Sequence, residues 1–135
     1  MENNPIIRRH LGLVGIGYWG RNIFRNLCEL AVLDTACDSN TDIIAEYKKK
    51  FPDLNYASSF DEIINNQDIK AVAIATPAAT HYKFTKQSLL AGKDVYVEKP
   101  LALWVKQGEE LLRLAEAEGR ILMVGHILQY HPAVI

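Results

Sequence analysis

The sequence predicts an α/β protein built on one doubly wound parallel sheet of six strands, in the order 3-2-1-4-5-6. Three observations carry this expectation. Short apolar runs alternate with amphipathic stretches along the chain, as strand–helix–strand units do. A glycine-rich turn, Gly15-Ile16-Gly17-Tyr18-Trp19-Gly20, directly follows the first apolar run, Leu11–Val14. An acid, Asp38, stands at the end of the second, 23 residues after Gly15.

Each element has its own signal. Leu11–Gly15 reads as a buried first strand and Trp19–Leu30 as the helix behind the turn. Leu33–Cys37 is the second strand. Thr41–Phe51 is helical, with Ile43, Ile44 and Tyr47 on its apolar stripe and Pro52 stopping it. Lys48-Lys49-Lys50 in its last turn suits the negative end of the helix dipole and reads as a solvated face. A short strand at Leu54–Ala57 precedes Ser59-Phe60-Asp61-Glu62, a capping box that opens a short helix. Ala71–Ala75, rich in alanine and β-branched residues, suits a central strand covered on both faces. Thr76-Pro77 ends it, and Thr80 is the expected N-cap of a helix reaching Ala91, with Gly92 behind it. Asp94–Val97 is the fifth strand. Trp104–Glu118 is a long helix with Val105, Leu111, Leu112 and Ala115 inward and Gly119 closing it. Gly108 within it costs on the order of 1 kcal/mol against alanine, and nothing in the sequence explains it. Ile121–Val124 is the sixth strand. The first domain is read as 1–125, and 126–135 as the start of a connection.

In a sheet of this order, ligands sit beyond the carboxyl ends of the strands, at the switch point between strands 1 and 4. Gly15–Gly20, Asp38, Thr76-Pro77, Glu98-Lys99-Pro100 and Gly125-His126 all fall at carboxyl ends. The glycine turn with a strand before it and an acid after it makes a dinucleotide site of the Rossmann type. Gly15 permits the tight turn, Gly17 lets a pyrophosphate approach bare backbone, and Gly20 allows close helix–strand packing. The helix opening beside Tyr18 and Trp19 aims unsatisfied N–H groups at the phosphates. Asp38 can accept from both adenosine ribose hydroxyls. Its carboxylate repels a 2′-phosphate, and no arginine lies between Asp38 and Asp42, so NAD is preferred; Ser39 leaves a small allowance for NADP.

Composition narrows the class. The chain has 135 residues, 49% of them hydrophobic and 23% charged, and its net charge is −1. That is an ordinary globular composition for one domain. The balance excludes nucleic acid and an anionic membrane surface as partners. The longest apolar stretches are too short to span a bilayer, and Met1–Pro5 lacks a secretory pattern. Cys28 and Cys37 have no metal-type spacing, so no metal is expected and both read as reduced, buried thiols of a cytoplasmic protein.

With Gly15-x-Gly17-x-x-Gly20, Ala75-Thr76-Pro77, His81 and the run Ala91-Gly92-Lys93-Asp94-Val95-Tyr96-Val97-Glu98-Lys99-Pro100, the chain resembles the Gfo/Idh/MocA oxidoreductases from Arg9 to Val134. The resemblance implies an NAD(P)-binding domain followed by a second α/β domain that carries most of the substrate site. It makes Lys99 the catalytic lysine beside the nicotinamide and Glu98 the residue that bonds the nicotinamide ribose. Thr76, Pro77 and His81 then line the cofactor channel. From the residues alone, an exposed ion pair of Glu98 and Lys99 is the lesser alternative, while His81 could equally sit at the surface.

Within the family, Gly15–Asn22 and Val124–Pro132 look most like members that oxidise the 3-hydroxyl of UDP-N-acetylhexosaminuronates; Gln129 stands where many relatives carry arginine. The runner-up substrates are free sugars or inositol. A non-catalytic NAD-sensing module and a methyltransferase are the competing classes, and Glu98-Lys99-Pro100 argues against both. The chain stops at Ile135, before the residues that the family uses to cover the nicotinamide. It is therefore expected to lack turnover alone, to expose apolar surface around Leu128, Tyr130 and Val134, and to self-associate.

Overall fold

The computed structural model describes residues 9–134. Six strands form one parallel sheet in the order β3-β2-β1-β4-β5-β6, as the sequence predicts. They are β1 (Leu11–Val14), β2 (Leu33–Cys37), β3 (Asn55–Ala57), β4 (Ala71–Ile74), β5 (Asp94–Glu98) and β6 (Leu122–Gly125). The helices between them are α1 (Gly20–Glu29), α2 (Thr41–Lys50), α3 (Phe60–Ile64), α4 (His81–Leu90) and α5 (Val105–Glu118). β1 pairs with β2 on one side and β4 on the other, so the chain reverses its winding there.

Period-two alternation sends successive strand residues to opposite faces, and each face carries its own core. The exception is a register shift between β1 and β2, which brings Leu33 and Ala36 to one face. Leu13, Leu33, Ala36 and Ala73 pack with Ile16 and Phe24, against Ile43, Ile44 and Tyr47 of α2. Phe24 meets Tyr47 and Phe51 edge-on, with ring centroids 4.8 and 5.0 Å apart. Val14, Val72, Ile74, Val95 and Val97 face the other way, onto Ile63, Leu89 and Leu111. At the amino edge, away from the glycine turn, the buried Lys93 amine donates to the carbonyls of Asn66 and Ile69 at 2.8 and 2.7 Å.

Several expectations shift. α1 begins at Gly20 rather than Trp19, β5 runs on to Glu98, and β6 starts one residue later than predicted. Ile121, which precedes the strand, is 68% exposed. A 3₁₀ turn, Ala78–Thr80, intervenes before α4, and Thr80 makes no side-chain cap. Instead its hydroxyl donates to the Pro77 carbonyl at 2.7 Å. On α5 only Leu111 and Ala115 are buried; Val105 and Leu112 are exposed, contrary to the predicted inward stripe. Successive residues turn about 100° round a helix, so Leu112 is carried off the face that Leu111 buries. Cys37 is buried but Cys28 only half-buried, and both thiols are free. The Ser59–Glu62 capping box forms, with both Ser58 and Ser59 N–H groups donating to Glu62 Oε1 at 3.1 and 3.2 Å. A Cβ on Gly108 would meet only Leu101, at 3.9 Å, so packing does not require glycine there.

Candidate functional site

Two adjoining cavities open along the carboxyl edge of the sheet and share Ala75 and Thr76. One, of about 470 Å³, lies at the β1–β2–β3 side, among Gly15, Gly17, Asp38, Ser39, Ser58 and Thr76. The other, of about 410 Å³, lies beyond β4 and β5, among Trp19, Thr76, His81, Glu98, Lys99 and Ile127.

The first cavity is assembled by backbone. Gly15 has φ +95°, and a Cβ there would stand 2.6 Å from the Ala75 carbonyl oxygen. A Cβ on Gly20 would stand 2.0 Å from the Gly15 carbonyl oxygen, so α1 starts closer to the turn than any side chain permits. Gly17, by contrast, faces open space, with nothing within 4 Å of where its Cβ would be. The first turn of α1 has no side-chain cap and no acid; its Arg21 and Asn22 N–H groups donate to the Gly17 and Trp19 carbonyls at 3.1 and 2.9 Å, and the positive end of the helix dipole faces the glycine turn. Bare backbone over free volume at an uncapped helix start fits a pyrophosphate.

Asp38 is held in place by the same turn. Its Oδ2 accepts from the Ile16 N–H and its Oδ1 from the Asn40 N–H, both at 2.8 Å. Asn40 in turn caps α2, accepting from Asp42 N–H at 3.0 Å. Each carboxylate oxygen keeps a lone pair for a ribose hydroxyl. Cys37 also lines this cavity, but burial, then the nearby charges of Glu62 and Asp38, push its thiol up to about 12. It stays protonated and inert near neutral pH.

The second cavity is assembled by side chains. His81 is 2% exposed, so it is not a surface residue. Its Nδ1 lies 2.7 Å from the Pro100 carbonyl oxygen and its Nε2 2.7 Å from that of Thr76. The ring thus ties the loop after β4 to the loop after β5. The Thr76 and Thr80 hydroxyl oxygens are 2.6 Å apart; Thr80 gives its proton to Pro77, so Thr76 donates to Thr80. Glu98 Oε1 accepts from the Tyr96 hydroxyl at 2.7 Å, so Glu98 is not spent on an ion pair with Lys99. Lys99, before a cis peptide bond to Pro100, is exposed at the rim, and its amine forms no hydrogen bond or ion pair among the described residues.

The structure therefore gathers Gly15, Gly17, Asp38, Ser39, Thr76 and Pro77 at one cavity and Trp19, Thr76, His81, Glu98 and Lys99 at the other. Tyr18 lines neither; it is 81% exposed, with the Arg21 guanidinium 4.8 Å over its ring. Sequence reasoning missed Ser58, Ser59 and Phe60, which wall the first cavity. Their place directly after β3, another carboxyl end, is the signal that points to them. Among the described residues no cluster of three or more metal-ligating side chains occurs, and no helix is long and apolar enough to cross a membrane.

A six-stranded sheet in this order, with a glycine turn, an acid after β2 and two adjoining cavities at the carboxyl edge, defines a dinucleotide-binding Rossmann domain. Residues 9–126 match the Gfo/Idh/MocA oxidoreductase family, NAD-binding Rossmann fold, and the chain belongs to that family. It is 36% identical over 118 residues to the scyllo-inositol 2-dehydrogenase (NADP(+)) IolW of Bacillus subtilis, covering 86% of this chain and 32% of that protein. It is 28% identical over 134 residues to the UDP-N-acetylglucosamine 3-dehydrogenase of Acidithiobacillus ferrooxidans, covering 96% and 40%. The solved structure of that dehydrogenase, GnnA, superposes with a TM-score of 0.85 at 27% identity, over 96% of this chain and 42% of that one. A biliverdin reductase of Synechocystis, in complex with biliverdin and NADP+, superposes with a TM-score of 0.84 at 29% identity, over 94% and 40%. The chain thus spans between about a third and two fifths of the length of these relatives.

Proposed function

We propose that this chain is the cofactor-binding part of an NAD-dependent dehydrogenase that removes hydride from a sugar hydroxyl, and that the sugar is carried on a nucleotide. One observation supports this most: an unpaired lysine and a hydrogen-bonded glutamate stand on one cavity, which shares Ala75 and Thr76 with the cavity at the glycine turn. Gly15, Gly17 and the α1 start hold the pyrophosphate, Asp38 the adenosine ribose, and Glu98 the nicotinamide ribose. Bound there, the nicotinamide supplies the hydride acceptor. Lys99 then deals with the hydroxyl proton: as the free amine it takes the proton, and as the ammonium it stabilises developing alkoxide charge. Trp19 and Ile127 add apolar surface to the same cavity.

Asp38 supports NAD over NADP, since its fixed carboxylate would repel a 2′-phosphate. The UDP-sugar relative and the Gly15–Asn22 run support a nucleotide sugar. A second reading, oxidation of a free polyol, is favoured by the inositol dehydrogenase relative. The exposed Leu128, Tyr130 and Val134, each 65–69% accessible, support self-association, and the composition a cytoplasmic setting. The test is incubation of the chain with NAD and three substrate sets: UDP-N-acetylhexosaminuronates, free hexoses and inositols, read as NADH formation. The expected result is cofactor binding with no turnover, because Trp19, Lys99 and Ile127 leave this cavity open to solvent. Sugar-dependent NADH production by the isolated chain would contradict that, and the active set would name the substrate.

A further inference from the structure

We propose that Tyr96 is a positioning residue for the nicotinamide end of the site: it fixes the Glu98 carboxylate against the cavity, and Gly125 is glycine to leave room for that pair. The inference rests on the cofactor reading above and assigns a role to two residues outside it. Positions 96 and 98 share a face of β5 by strand alternation. The Tyr96 ring packs into the core formed by Leu13, Ala36 and Ala73, which fixes where its hydroxyl points. From there the hydroxyl donates to Glu98 Oε1 at 2.7 Å.

The neighbouring strand closes the argument. Gly125 is the β6 residue paired with Glu98. A Cβ on Gly125 would stand 2.5 Å from the Tyr96 hydroxyl oxygen and 3.0 Å from Glu98 Oε1. Any other residue at 125 therefore displaces the phenol, the carboxylate or both. A glutamate side chain left to itself samples several rotamers. Bound through one oxygen to a packed ring, it presents the other to a ligand in one orientation. Burial and the bond to Glu98 raise the phenol well above its usual range, so it remains a donor at every working pH.

The experiment compares NADH with ADP, which fills only the adenosine half, on the chain and on two variants, Tyr96→Phe and Gly125→Ala. Tyr96→Phe removes one oxygen and leaves the ring. NADH affinity is expected to fall about fivefold in Tyr96→Phe and at least as far in Gly125→Ala, with ADP affinity unchanged in both. A parallel cycle of Tyr96→Phe and Glu98→Ala in urea denaturation of the cofactor-free chain is expected to be non-additive. NADH binding by Tyr96→Phe equal to the unmodified chain overturns the positioning role alone. Equal losses of NADH and ADP overturn it too, since Tyr96 is then only structural. No NADH binding by the unmodified chain, with the urea cycle still coupled, overturns the cofactor reading and this role with it.

Discussion

The two cavities of the carboxyl edge are built by different means. On the β1–β2 side the determinants are backbone: a positive φ at Gly15, missing Cβ atoms at Gly17 and Gly20, and Ile16 and Asn40 N–H groups on Asp38. On the β4–β5 side they are side chains joined across the sequence: His81 to Pro100 and Thr76, Tyr96 to Glu98. The first kind of site is specified locally and tolerates few substitutions. The second depends on two loops staying in register, with Lys99 left free at the rim. One side is thus fixed by the backbone, and the other leaves the Lys99 side chain room to respond.

Substitutions that strike one side and spare the other break this comparison. The largest effect is expected from Gly20→Val, whose side chain collides with the Gly15 carbonyl; about 3 kcal/mol or more of stability is lost by chemical denaturation, and NADH and ADP binding vanish together. Next comes His81→Leu. It removes the ring that ties the Thr76 and Pro100 carbonyls together, and a loss of about 1–3 kcal/mol is expected in urea denaturation. If the two sides are independent, this variant keeps ADP affinity while NADH affinity falls. A loss of both would mean that the β4 loop, which the cavities share, transmits the damage.

Asp38→Ala sharpens the adenosine side. It removes the ribose acceptor and strands the Ile16 N–H, so NADH affinity is expected to fall about tenfold and the preference over NADPH to shrink, by fluorescence titration. The smallest effect concerns Glu62, beside the Ser58–Phe60 wall. The Ser58 N–H, with that of Ser59, holds its carboxyl below the usual carboxylate range despite the opposing pull of desolvation. Because the folded value is the lower one, this contribution is present at neutral pH. It is lost as pH falls below about 4, through the folded value. Glu62→Gln is expected to lower the melting temperature at pH 7 slightly and to converge with the unmodified chain under acid. A gap that persists in acid would contradict the assignment.

Backbone sites are also the ones that sequence reveals. The glycine spacing, Asp38 and the strand order were legible because each follows from local chemistry or from how parallel strands connect. The state of His81 was not, since its partners lie 5 and 19 residues away and meet only in the fold. The pairing of Tyr96 with Glu98 had a faint signal in their i,i+2 spacing, but the need for Gly125 opposite them came from β6 register alone. On α5, apolar residues spread wider than the narrow stripe that reaches the sheet, so Val105 and Leu112 misled the inward assignment.

Titration of the purified 135-residue chain with NADH and with NADPH, beside Asp38→Ala, tests the central claim most directly. The account predicts saturable NADH binding, weaker NADPH binding, and loss of that preference in the variant. Absence of binding to either nucleotide by a folded chain would contradict it and reduce the glycine turn to a structural feature.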